Sequence, residues 1–484
     1  MALKLMLVVC MLAIAELMMM SVVEAECRWT GCHAHSAGDW CNVLGPGYRV
    51  KKWERCNGLL GKMEYCYTAS VCHDFAILQP KMEQKDEKKT IEEIFTEALF
   101  KFSINSLQKY EFFNSKDNFA FSPYNLYKGL LLAYLTSSGV IEESLKEILF
   151  LTEVSEKCDL IDTVNFDKSF ETEMTAEKNV SAFAAECDYE SKSMCFIEKS
   201  KLSENPSQIN KIFNGGFVNL DDDTNANINR INEEIQCQTE NFHSPQELSA
   251  LNGNMDIALM TVLRFSNQKL LSIGYQSDAS SASTDSDKGM FKCSFHKKLQ
   301  ILVSEFPYKN GNTSLFVLAP CFFDTDNKWK VMFNHVAISN MINLLWTKRG
   351  MLELRKILDH QASLLRVTNF SYWPVFELEK DFNILLLLRS IGCQQLLTSD
   401  AVNLDSSFAK DGHKVHFGNV VHHTHVKVTK EATVAGAMTL ITGVSSLPNS
   451  SVIVDVQSKY PFVWLIYDKQ HRNILFIGVC NEFE

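Results

Sequence analysis

The sequence predicts an α+β domain from Thr90 to the C-terminus, behind a small disulfide-rich module. Three observations predict it. Six cysteines crowd residues 26–75, apolar residues after Thr90 recur at helical spacing, and strand-like runs dominate from Ile257 onward. Helices first and mainly antiparallel strands later imply helices packed on large β-sheets. The chain has 484 residues, 46% hydrophobic and 22% charged, a length that suits one large domain with additions and a composition that is ordinary for folded protein.

Residues 1–25 read as a signal peptide: Lys4 precedes an apolar run, Leu5 to Ala15, and the stretch ends Val23-Glu24-Ala25. A membrane anchor is the rival, because Leu17 to Val23 prolongs the apolar run and Glu16 only interrupts it. No later run approaches the roughly 20 apolar residues of a membrane span, so secretion without a membrane partner is expected.

Residues 26–75 hold Cys27, Cys32, Cys41, Cys56, Cys66 and Cys72. An even number of close cysteines in a secreted chain implies a disulfide framework, with about 15 possible pairings. Zinc would want tighter Cys-x2-Cys steps with matching histidines; only Cys27/Cys32 and Cys66/Cys72 come near. Trp29, Trp40 and Trp53 supply a mini-core. Residues 76–89 include the charged run Lys81 to Lys89, which lacks an apolar face and reads as a solvated linker. Asn179, Asn312, Asn369 and Asn449 begin unblocked glycosylation tripeptides, which suit an extracellular protein.

The domain over residues 90–484 opens with a helix. Ile91, Ile94, Phe95, Ala98 and Leu99 lie on one face, Thr90 is its N-cap, and Glu92 and Glu93 fill its first turn. Phe119-Ala-Phe-Ser-Pro breaks into a second apolar helix, Leu126 to Leu135. Strand-like runs follow at Ile257–Phe265, Leu299–Phe306, Leu315–Ala319, Val415–Val428, Ser451–Val456, Phe462–Tyr467 and Asn473–Val479. Ser277 to Lys288 is a polar low-complexity loop.

Several function classes fall away. A net charge of −11 argues against nucleic-acid binding, which needs clustered Lys and Arg. No nucleophile elbow, P-loop or dinucleotide fingerprint occurs, so no catalytic residue and no cofactor is assigned. His423 and His425 share one strand face, with His413 and His416 upstream; without a carboxylate or thiol beside them they read as surface histidines, not metal ligands.

Residues 432–451 form an uncharged connection of 20 residues between two strand-like segments. A connection of that length inside a compact domain is usually functional. Thr433, Ala435, Ala437 and Thr439 would form one face of a strand, and all four are small. Such a segment could slide into an existing sheet without overpacking it.

Landmarks across residues 90–484 resemble the serpin family in order and spacing. They are Asn118-Phe-Ala-Phe-Ser-Pro123, Gly139-Val-Ile-Glu-Glu-Ser-Leu, Ile231-Asn232 with Ile235 and Thr239, and Phe306-Pro307-Tyr308 with Asn312 to Pro320. Val421-His422, Glu431 to Thr439, Tyr460-Pro461-Phe462 and Ile474 to Gly478 follow. The resemblance implies a serpin-like fold with an exposed reactive-centre loop that a target serine protease attacks. The cut loop would then insert into the main sheet and trap the protease, making the chain an inhibitor and not an enzyme.

With the hinge starting at Lys430 and continuing through Glu431, Ala432, Thr433, Ala435, Ala437 and Thr439, the resemblance places the reactive bond between Ser446 and Leu447. The loop carries no Arg or Lys near that bond, so an extracellular protease of trypsin or chymotrypsin fold with a small, elastase-like pocket is the expected partner of a monomeric inhibitor. Ser122 and His422 match the family's shutter residues. Departures are Lys430 for the usual Glu, Ala432 for Gly, Val434 for Glu, Thr261 for Asn, Asn125 for the second Ser, and Lys269 or Leu270 where Trp is usual. A glycan on Asn449 would crowd a docking protease. These departures keep a second class open: a non-inhibitory serpin acting as a carrier, a binding partner or an extracellular fluid protein.

Overall fold

Capping chemistry starts the first helix of the domain. The Thr90 hydroxyl accepts from the Glu93 N–H at 3.2 Å, and the Glu93 carboxylate accepts from the Thr90 N–H at 2.9 Å. This reciprocal capping box satisfies two otherwise free donors at the entry to α1 (Ile91–Phe113). In the next helix, α2 (Pro123–Thr136), Ser122 is the N-cap and Pro123 occupies the first turn, where a missing N–H does no harm.

The computed structural model describes residues 27–29, 48–55, 61–67, 89–164, 189–197, 212–213, 216–220, 223–239 and 257–268. It further describes 292–309, 311–323, 329–332, 335–360, 365–367, 374–382, 384–392, 402–403, 414–415, 419–442, 453–457 and 461–481. The chain divides into two compact units, Met1–Lys85 and Asp86–Glu484. In the first, β1 (Cys27–Trp29), β2 (Tyr48–Arg55) and β3 (Gly61–Tyr67) form an antiparallel sheet in the order β1-β3-β2. Its register sets the Cys27 backbone opposite that of Cys66; Cys32, Cys41, Cys56 and Cys72 lie outside the described residues.

The second unit is built on two large sheets. One runs β12 (Leu365–Val367), β8 (Lys292–His296), β9 (Ile301–Pro307), β10 (Thr313–Phe323), β19 (Phe462–Asp468), β20 (Asn473–Cys480) and β4 (Phe119–Phe121), with β11 (Trp329–Val331) also on β10. The other runs β18 (Ile453–Gln457), β13 (Val375–Phe382), β16 (Asn419–Val428), β17 (Ala432–Thr442), β7 (Ile257–Gln268), β5 (Tyr189–Ile197) and β6 (Phe217–Asn219). Every pairing is antiparallel except β5 with β6. A short pair, β14 (Val402–Asn403) with β15 (Lys414–Val415), stands apart.

Helix α2 lies between the two sheets, touching β7 and β17 on one side and β20 on the other. All fourteen of its residues are buried, which explains its apolar run from Leu126 to Leu135. The remaining helices are α3 (Val140–Ile148), α4 (Lys157–Val164), α5 (Thr224–Thr239), α6 (His335–Trp346), α7 (Lys348–Leu358) and α8 (Ile384–Ser390). Helix α5 covers the outer face of the second sheet through Ile228, Ile231 and Ile235. Strands β19 and β20 are buried along their whole length. Gly478 permits this, since a Cβ there would stand 2.6 Å from the Trp464 ring.

Candidate functional site: the loop strand and the polar cluster beneath it

The first part of the long uncharged connection is not an exposed loop in this structure. Residues Ala432–Thr442 are β17, the middle strand of the seven-stranded sheet, antiparallel to β16 on one side and to β7 on the other. Backbone groups find partners along both edges, and the side chains sort by parity. Thr433, Ala435, Ala437 and Thr439 are all buried on the α2 side. Met438 and Leu440 face the opposite way, into the cluster under α5. Val434 is 38% exposed and Lys430 and Glu431 are exposed.

On the α2 side the helix passes close at Thr439. At Gly129 an added Cβ would come within 3.1 Å of the Thr439 methyl. The turn into β17 is tight. Thr429 N–H donates to the Ala432 carbonyl at 2.9 Å, and the Thr429 hydroxyl accepts from the Ala432 N–H at 3.1 Å. No residue from Thr429 to Ala432 takes a positive φ, so the inserted strand asks for no glycine at position 432.

Beneath β17 lies a buried polar cluster drawn from five elements. Ser122 donates its backbone N–H to His422 Nε2 at 3.0 Å and its hydroxyl to the Leu475 carbonyl at 2.6 Å. The other imidazole nitrogen, Nδ1, is 2.8 Å from the Thr439 hydroxyl. The Asn125 amide donates to the same hydroxyl and to the Thr261 carbonyl, each at 3.1 Å. The Thr261 hydroxyl donates to the Asn125 carbonyl at 3.0 Å. All five side chains are essentially inaccessible to solvent.

An α2 enclosed between two sheets, covered on one side by a sheet with an inserted seventh strand, is the arrangement against which known proteins compare. The family model described as Serpin (serine protease inhibitor) matches residues 276–482. Over those residues the chain matches the serpin family.

Relatives agree with that assignment. "Serine protease inhibitor 88Ea" of Drosophila melanogaster is 21% identical over 408 residues, 79% of this chain and 89% of that protein. "Leukocyte elastase inhibitor" of Sus scrofa is 28% identical over 194 residues, 40% of this chain and 46% of that protein. Among solved structures, "Cleaved Serpin 42Da" superposes with a TM-score of 0.57 at 15% identity, covering 81% of this chain and 98% of that one. The fold is the serpin fold.

Two residues that the resemblance marks as departures meet in this cluster. Asn125 stands where serine is usual and Thr261 where asparagine is usual, and these two residues face and bond each other. The cluster thus holds an amide from the helix and, facing it, a hydroxyl from the strand. No local pattern in the sequence reveals this, because the two positions are 136 residues apart.

The histidine pair also differs from expectation. His423 is buried rather than on the surface, and carboxylates from β13 stand beside both rings. His425 Nε2 is 2.9 Å from Glu377 and His423 Nε2 is 3.6 Å from Glu379. The nearby His423 ring holds the Glu379 carboxyl below the usual carboxylate range. Burial pushes Glu377 up, but hydrogen bonds from Lys427 and His425 outweigh it and hold it low. Among the described residues no group of three or more ligating side chains could hold a metal.

Asn312 is exposed at the hairpin between β9 and β10, with its amide 3.3 Å from Gln470. Ser446, Leu447, Asn449, Asn179, Asn369, Lys269, Leu270, His413 and His416 lie outside the described residues.

Proposed function

We propose that this chain is a secreted inhibitor of serine proteases that offers the loop around Ser446 and Leu447 as bait and acts as a monomer. The observation that carries the reading is β17. Its row of small side chains is buried on the side of α2, where a Cβ at Gly129 would crowd the Thr439 methyl, and its backbone is paired on both edges. A segment able to complete a sheet in this way can drive protease trapping, because strand addition releases free energy once the loop is cut. The reaction would begin with β17 withdrawn and the bait exposed. The attacking protease serine would form an ester with the Ser446 carbonyl, the Leu447 amine would leave, and the freed segment would enter the sheet.

Small residues around the bond favour a protease with a small pocket, and similarity to a protein named leukocyte elastase inhibitor supports that choice. Export by the signal-peptide layout, disulfides among Cys27 to Cys72, and glycans at sites such as exposed Asn312 complete the reading. One experiment tests it: incubation with pancreatic and neutrophil elastase, then denaturing electrophoresis. A complex that survives SDS supports the reading. Clean cleavage of the loop with no complex would instead favour a non-inhibitory carrier, the reading that the acceptor tripeptide at Asn449 and the altered hinge support.

A further inference from the structure

We propose that Cys27 and Cys66 form a disulfide bond that staples β1 to β3, and that Cys72 bonds to one of the cysteines inside the loop so closed. This rests on the reading of the chain as exported and of its six N-terminal cysteines as paired with one another. The register carries the first half. Strand β3 is the middle of its sheet and β1 an edge, and the two pair antiparallel: Cys27 with Cys66, Arg28 with Tyr65, and Trp29 with Glu64. Residues directly opposite in an antiparallel pair share a face, with Cα atoms about 4.5 or 5.5 Å apart. Both separations fall within the roughly 4.4–6.8 Å that a disulfide spans. On its other side Cys66 stands opposite Arg49 of β2, so Cys27 is the cysteine that this sheet sets against it. The placement is specific. Cys66 lies between Tyr65 and Tyr67, so a slip of one residue would set Cys27 against a tyrosine and on the opposite face.

An edge strand as short as β1, Cys27–Trp29, makes few ladder bonds to offset the entropy of ordering it. A covalent link to the middle strand lowers that cost by restricting the unfolded chain. With Ala25 as the last residue of the leader, Cys27 is the second residue of the exported chain, so the bond ties a new N-terminus to the centre of the sheet. In forming it, the two thiols give two electrons and two protons to the disulfide of a secretory-pathway oxidoreductase, which is released as its dithiol. The second half follows from chain order. The loop from Cys27 to Cys66 encloses Cys32, Cys41 and Cys56 and leaves Cys72 outside. Any bond that Cys72 makes to the remaining three therefore crosses the staple. Of roughly 15 pairings of six cysteines about 3 remain, and all of them interlock.

The test is a map of linked peptides from the full-length protein, alkylated without reduction and cut with trypsin and chymotrypsin. Cuts after Arg28, Trp40, Arg55, Lys62 and Tyr67 leave each of the six cysteines in a fragment of its own. The Cys27 fragment should be joined to the Cys66 fragment, and the Cys72 fragment to one holding Cys32, Cys41 or Cys56, with both links lost on reduction. In Cys27→Ser, Cys66 should become the one newly alkylated cysteine of the group. Should that variant fail to be secreted, the wild-type map decides alone. Secreted protein in which Cys27 is alkylated or joined elsewhere would overturn the staple, and a Cys72 fragment joined to none of the three enclosed cysteines would overturn the interlock. Protein retained in the cell with all six cysteines alkylated would reject export itself, and the proposal with it.

Discussion

The hydroxyl of Thr439 lies 2.8 Å from Nδ1 of His422, joining the row of small loop residues to the one histidine of the neighbouring strand that points at α2. Through this contact the position of the loop strand is felt at Ser122 and Asn125, the N-terminus of the buried helix. The contacts within this cluster lead to predictions that separate the inserted sheet from the withdrawn one.

Glycine inside a helix is about 1 kcal/mol less favourable than alanine, so Gly129 needs a reason, and Thr439 is that reason. Gly129→Ala should stabilise the intact protein with its loop out and lose much of that gain once the loop is cut and inserted. Gly129→Val should lower the nicked form by about 1–3 kcal/mol through overpacking. Calorimetry on both forms checks this; identical shifts would mean that α2 never meets the loop.

Thr433 is fully buried, and its hydroxyl has no hydrogen-bond partner. Thr433→Val keeps the shape and removes the stranded oxygen, so the nicked form should gain about 1 kcal/mol. Thr433→Arg would bury an unpaired charge at a penalty of several kcal/mol. Insertion should then lose to hydrolysis, and the moles of inhibitor consumed per mole of protease inactivated should climb well above wild type. An arginine variant equal to wild type would show that this row does not face inward in the trapping reaction.

Acid should weaken the fold in two stages. Burial pushes the His296 imidazole below 6.5 despite Glu353 at 3.3 Å. As pH falls through about 6.5 the unfolded chain therefore takes up this proton first, and stability declines. A hydrogen bond from Lys298 at 2.8 Å holds the Glu353 carboxyl low, so its contribution is full above about pH 4.3 and is lost as pH falls through its depressed folded value. Urea midpoints between pH 3 and 8 should show both declines. Glu353→Gln should flatten the lower one, and an unchanged acid limb in that variant would remove Glu353 from the account.

The N-terminal module should carry three disulfides of its own. Peptide mapping without reduction is expected to find Cys27, Cys32, Cys41, Cys56, Cys66 and Cys72 paired among themselves. A bridge from this group to Cys187 or Cys393 would contradict a separately stapled unit.

Much of the architecture was legible in the chain. The capping box at Thr90 and Glu93, the Ser122-Pro123 start of α2 and the apolar run of that helix are short-range signals, read from neighbours within a turn or two. The spacing of Thr433, Ala435, Ala437 and Thr439 is equally local, and it announced a strand that could enter a crowded sheet. His422 was legible only by resemblance, since a histidine in a His-rich run carries no sign of the serine backbone it accepts from 300 residues away.

By itself, then, the sequence determined the opening helix, the apolar run of α2, several long strands from Ile257 onward and which face of residues 432–442 is small. Tertiary structure alone decided that this segment lies in the sheet, between β16 and β7, with its hydroxyl on His422. It also decided that Asn125 and Thr261 bond each other, and that Glu377 and Glu379 stand beside His425 and His423. The physical reason is register. Helical and strand periodicity depend on neighbours along the chain, whereas a cross-strand contact depends on how two distant segments align. A slip of one residue there would turn every side chain to the opposite face.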